Sequence, residues 1–157
     1  MRPILEIVLG LSLVIGTLSV HGTGMYLVMH RFEIHWQAYF TEMSEVRRQL
    51  YFGHLIIIML LTHILAILII ATVLFAIQAM PDLRTAFYFS GETYTTVGFG
   101  DVTLPMGWRQ LALFIAMAGL LSFGWSTGVL VHIVGKTYEA QFAHLRKRDS
   151  NGQPLPH

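Results

Sequence analysis

Between two long apolar runs the chain reads Thr95-Thr96-Val97-Gly98-Phe99-Gly100-Asp101, with two glycines alternating with Val and Phe. Glycine takes backbone conformations that a Cβ resists, so such a loop can turn successive carbonyls to one side. The carbonyls of Thr96, Val97, Gly98 and Phe99, with the Thr96 hydroxyl and the turn at Gly100, then set oxygens at several levels of one axis. Oxygens placed in that way can replace the hydration shell of a cation. Irregular backbone at membrane depth survives only where it is buried in protein or lines an aqueous path. The chemistry implied is the passage of an ion.

The elements around the loop fit that setting. Of 157 residues, 54% are hydrophobic and 12% charged, too apolar for an ordinary soluble domain. Three stretches, Pro3 to Met29, His54 to Met80 and Trp108 to Gly135, are long enough to cross a bilayer. At ~1.5 Å per residue each reaches roughly 40 Å against a ~30 Å hydrocarbon core, which permits tilt. Pro81 to Met106 is shorter and is expected to enter and return. Pro81 near the first helical position and Asp82 as a cap predict a short helix through Leu83, Ala86, Phe87 and Glu92 to about Thr95. Its negative dipole end favours a cation at the membrane centre. The fold class expected is an all-α membrane protein with three transmembrane helices, a re-entrant helix and a loop.

Seven Lys and Arg residues fall on one side (Arg31, Arg47, Arg48, Lys136, Arg146, Lys147, Arg148) and three on the other (Arg2, Arg84, Arg109). The positive-inside rule then puts the C-terminus in the cytoplasm and the N-terminus outside, in a multi-pass cell (inner or plasma) membrane protein. A cleaved signal peptide over the first span would reverse that bias, and Val20 to Gly24 shows no small-x-small cleavage site. The expected divisions are a peripheral helix over 1–30, a cytoplasmic interfacial linker over 31–53, a pore module over 54–135 and a short tail over 136–157. Within the module the outer helix covers 54–80, the short helix and loop 81–106, and the inner helix 107–135. Net charge is +1 and there is no cysteine, so neither a nucleic-acid partner nor thiolate metal chemistry is indicated. Membrane lipid is the expected surroundings.

Thr96-Val97-Gly98-Phe99-Gly100-Asp101 resembles the filter signature of the potassium-channel superfamily, with Phe99 for the commoner Tyr. Ser90-Gly91-Glu92-Thr93-Tyr94-Thr95-Thr96 is similar to the pore-helix end of small two-span bacterial potassium channels. Ala118-Gly119-Leu120-Leu121-Ser122-Phe123-Gly124 matches their inner helix. The resemblance covers roughly His54 to Gly135, and the whole is most similar to three-span bacterial members. It implies a carbonyl-lined filter binding K+ at Thr96, Val97, Gly98 and Phe99, closed by four copies in a homotetramer. It also implies filter support from Tyr88, Glu92, Thr95 and Asp101. The two carboxylates are expected in contact with a shared proton, and the Tyr88 hydroxyl is expected to donate to Asp101. Phe99 lacks the phenol that elsewhere hydrogen-bonds behind the filter, and the loop from Asp101 to Arg109 is one residue shorter than in those channels.

Below the filter, the resemblance makes Gly119 a gating hinge. Leu120, Phe123, Thr127 and Val131 follow at helical spacing and are expected to line the cavity, with Phe123 and Val131 at an apolar constriction. Gly124 and Gly128 read as close-packing positions. No span carries the repeated basic residues of a voltage sensor. His21 and His63 should both lie roughly 13–15 Å deep, level with Trp125. The reading favoured for them is a neutral hydrogen-bonded pair docking the first helix; a proton-sensitive cluster is the alternative. The linker, with Glu33, His35, Trp36, Glu42, Glu45, Arg47 and Arg48, reads as an interfacial amphipathic segment. Passive potassium conduction is the function expected, with no cofactor and no enzyme activity. A weakly selective cation channel and a non-conducting accessory subunit are the alternatives.

Overall fold

The computed structural model describes residues 2–39 and 44–150. Every regular element among them is helical: α1 Arg2–Tyr39, α2 Glu45–Ala76, α3 Leu83–Tyr94, a single 3-10 turn at Met106–Trp108, and α4 Leu111–Ser150. Three stretches are long and apolar enough to cross a membrane, Ile4–Trp36, Val46–Ala76 and Leu111–Glu139. The chain is therefore a multi-pass membrane protein with one short helix between its second and third spans.

The spans outrun their expected limits. Residues 31–53 were expected as a separate interfacial linker, yet α1 runs on to Tyr39 and α2 starts at Glu45. Neither Gly nor Pro occurs between Met25 and Phe52, so nothing in that stretch stops a helix. The charged residues decorate two helix ends, where Arg31 and Arg47 are exposed and Arg48 is half-buried. Glu42 lies outside the described residues. α4 likewise continues past Gly135 to Ser150, and 151–157 lie outside the described residues.

The short connections are built from local chemistry. After α2, Gln78 takes φ +56, Gln78 N–H donates to Phe75 O and Ala79 N–H to Leu74 O. This is the six-to-one and five-to-two closure in which glycine usually holds the left-handed position. α3 then opens at Asp82, whose Oδ1 accepts from Thr85 N–H at 2.9 Å and whose Oδ2 accepts from the Thr85 hydroxyl at 2.7 Å. Those bonds, the backbone one first, hold the Asp82 carboxyl below its usual range. Asp82 is the expected cap, and Pro81 stands just outside the helix and not at its first position.

α1 and α4 run parallel in a fixed register. The Glu6 carboxylate, itself buried, accepts from Gln110 N–H at 3.2 Å at the start of α4. At the other end Lys136 donates to both oxygens of Glu33 at 2.7 Å, its Nζ 5.8 Å from the Phe32 ring and 5.6 Å from that of Trp36. Close approach is permitted by small residues on α1. A Cβ on Gly10 would stand 2.2 Å from the Phe114 ring, one on Gly22 2.7 Å from Trp125, and one on Gly24 2.1 Å from Thr62 Cγ2.

Two apolar clusters fill the interior. One joins α2, α3 and α4 through Ile70, Leu74, Phe89, Tyr94, Leu111 and Ile115. The other joins α1, α2 and α4 through Met25, Phe32, Leu55, Met59, Val129 and Ile133. Between them lies a polar layer centred on His21 and His63.

Candidate functional site

The loop after α3 sorts its backbone groups into two rows. Thr95 N–H donates to Gly91 O, Thr96 N–H to Thr93 O, and the N–H groups of Val97 and Gly98 both reach Glu92 O, at 2.9 and 3.3 Å. Phe99 N–H donates to Glu92 Oε2 at 3.3 Å. Five successive donors thus fold back on the last turn of α3 and on its glutamate. No hydrogen bond among the described residues ends on the carbonyls of Thr95 through Gly100. Left-handed φ angles recur at every second residue, +61 at Thr96, +56 at Gly98 and +77 at Gly100. That alternation is what keeps the donors on one side. Two of these positions are glycine, and Thr96 bears the strain that its Cβ adds.

Residues 95–101 are exposed in the single chain, Phe99 by 73% and Val97 by 53%. Val97 and Phe99 border an open groove of about 490 Å³ with Arg84, Phe87 and Tyr88. The Thr95 hydroxyl is tied to Gly91 O at 2.8 Å, so it braces the turn.

Tyr88, Glu92 and Asp101 gather behind the loop. The Tyr88 hydroxyl donates to Asp101 Oδ2 at 3.0 Å, as anticipated, and this bond is the first cause that pushes the Tyr88 phenol above its ordinary range. The structure gives each carboxylate its own donor, Phe99 N–H for buried Glu92 and Tyr88 for Asp101, which also takes Val102 N–H at 3.1 Å.

On α4, Gly119 is buried against α3: a Cβ there would stand 1.8 Å from the Tyr94 carbonyl oxygen. Leu120, Thr127 and Val131 lie exposed along the helix. Phe123 is half turned inward, its ring stacked 4.3 Å from His63. Gly124 and Gly128 meet nothing within 4 Å, so any close packing at those positions is not with this chain.

His21 and His63 come together, with ring centroids 4.5 Å apart. Trp125 meets only their margin, its ring edge-on to His21 at 6.3 Å. The members missing from the sequence reading are Tyr94, Ser126 and Thr62. His63 Nδ1 lies 3.1 Å from the Tyr94 hydroxyl and Nε2 3.0 Å from Ser126 Oγ, which is 2.9 Å from His21 Nε2. His21 Nδ1 completes the chain at 3.3 Å from Thr62 Oγ1. The only available signal was that a buried imidazole needs partners, and Thr62 adjoins His63 in sequence. Among the described residues no three His, Cys, Asp or Glu converge as a metal site.

Comparison with curated proteins and with solved structures gives no match. Residues 62–136 match the family described as Ion channel, a stretch that runs from Thr62 and His63 through the glycine loop to Lys136. The match covers a little under half of the chain and supports its kinship with the potassium-channel superfamily, with α1 lying wholly before the matched residues.

Proposed function

We propose that four copies of this chain assemble around one axis as a potassium-selective channel. In this reading α3 is a re-entrant pore helix and residues 96–100 are the filter. The observation that carries it is the sorting of backbone groups in the loop: five N–H donors satisfied within the chain and a row of carbonyls left for something else. Unpaired carbonyls at membrane depth cost several kcal/mol each unless an ion or water takes them. Thr96, Val97, Gly98 and Phe99 supply those oxygens, and a fourfold ring of them coordinates K+ in place of water. A neighbouring subunit's loop accounts for the exposure of Val97 and Phe99.

Glu92, Tyr88 and Asp101 brace the filter from behind. Leu120, Thr127 and Val131 face the cavity and the inner mouth. Gly119 bends there, its freedom limited by the Tyr94 carbonyl packed upon it. The basic ends of α1 and α2 and the tail lie in the cytoplasm, and the N-terminus and Asp82 lie outside. The test is two-part: the mass of the purified particle in detergent, and potassium efflux from liposomes containing it. A fourfold particle releasing K+ supports the reading. A fourfold particle with no flux supports the accessory-subunit alternative.

A further inference from the structure

The polar layer between the two apolar clusters is one continuous hydrogen-bond chain. Thr62 Oγ1 donates to Met59 O at 2.7 Å and stands 3.3 Å from His21 Nδ1. His21 Nε2 lies 2.9 Å from Ser126 Oγ, which lies 3.0 Å from His63 Nε2, and His63 Nδ1 lies 3.1 Å from the Tyr94 hydroxyl. One proton order that uses all of these contacts puts the His21 proton on Nδ1, with Ser126 donating to His21 Nε2, His63 Nε2 donating to Ser126 and Tyr94 donating to His63 Nδ1. Met25 Sδ, 3.7 Å from Ser126 Oγ, and the Ser122 backbone bonded to His21 offer others. The chain touches α1, α2, α3 and α4, and no Asp, Glu, Lys or Arg contributes to it.

Its far end matters most. Tyr94 is the last residue of α3 and fully buried, and its carbonyl rests on Gly119. The next two residues open the loop. Granting the filter reading above, on which this inference rests, we propose that His21 of the peripheral helix is a positioning residue for the filter, acting through Ser126 and His63 on Tyr94. The peripheral helix then belongs to the conduction machinery, because His21 ties α1 into the hydrogen-bond chain that ends on Tyr94.

The test is the K+/Na+ permeability ratio of the full-length tetramer in planar bilayers. His21→Leu removes both ring nitrogens, and the ratio should fall roughly fivefold or more, the loss that one buried hydrogen bond carries. His21→Gln keeps a donor and an acceptor at similar spacing and should hold the ratio within about twofold of wild type. Ser126→Ala cuts the chain by one oxygen, should match His21→Leu, and stands in for it if the leucine variant fails to assemble. Tyr94→Phe added to either should cause little further loss. A selective wild type whose ratio survives Ser126→Ala and His21→Leu overturns this proposal alone, as does a Gln variant no better than Leu. An unselective wild type overturns the filter reading and this proposal with it.

Discussion

The seam between α1 and α4 and the loop after α3 are opposite kinds of structure within one short chain. The seam is finished inside the single subunit. Glu6 meets Gln110 N–H, His21 meets Ser126, Glu33 meets Lys136, and glycines on α1 receive Phe114 and Trp125. The loop is finished on one side only, with its donors satisfied, its carbonyls unpaired and Phe99 exposed. In the proposed reading, the contrast separates what stabilises a subunit from what further copies and an ion would complete.

If that division holds, substitutions in the two regions should fail differently. The largest effect is expected where they meet. Gly119→Ala drives a methyl into the Tyr94 carbonyl, a backbone atom that cannot rotate aside, so α3 or α4 must shift. Overpacking of this kind costs about 1–3 kcal/mol or more per subunit, and thermal melting of the assembled particle should fall sharply along with current. Gly98→Ala should spare assembly and abolish conduction. Nothing crowds its Cβ, but φ +56 costs an L-residue about 1–2 kcal/mol in each copy, and the carbonyl row rotates to relieve it. Unitary current with a normal melting curve is the paired measurement.

Gly24→Val, on the seam, should show the reverse. Its side chain displaces Thr62, lowering melting by about 1–3 kcal/mol per subunit while some current persists. Tyr88→Phe removes the donor to Asp101 and should shorten channel open time without loss of assembly. Because the folded phenol titrates above its ordinary range, the wild-type advantage is fully present below the unfolded value. It fades as alkaline pH passes through the raised one, where wild type and Tyr88→Phe converge. The smallest effect is a gain. Gln78→Gly relieves a left-handed residue and should stabilise by about 1 kcal/mol or less, read as a small rise in melting temperature.

The loop was legible in sequence because its chemistry is local. Alternating glycines, an Asp82 cap and a span on either side specify the short helix and the turn that follows with little help from elsewhere. The Tyr88–Asp101 bond was expected from the family resemblance and not from local chemistry. The seam was not legible. In lipid every face of a helix is apolar, so α1, α2 and α4 offer little periodic contrast from which to read register. Ser126 and Tyr94 are ordinary span residues until the fold sets them against two imidazoles. Trp125 was grouped with the histidines by depth alone, and depth does not say which way a ring points. The helical extent of α1 and α2 was not legible either, because a cluster of charges does not by itself say whether the segment that carries it is helical.

The most direct examination of the account is the reversal potential of the reconstituted protein with potassium on one side of a bilayer and sodium on the other. The account predicts a potential displaced strongly toward the potassium equilibrium value, with the displacement lost in Gly98→Ala. A current that reverses near zero under the same gradient, through a fourfold particle, would contradict it.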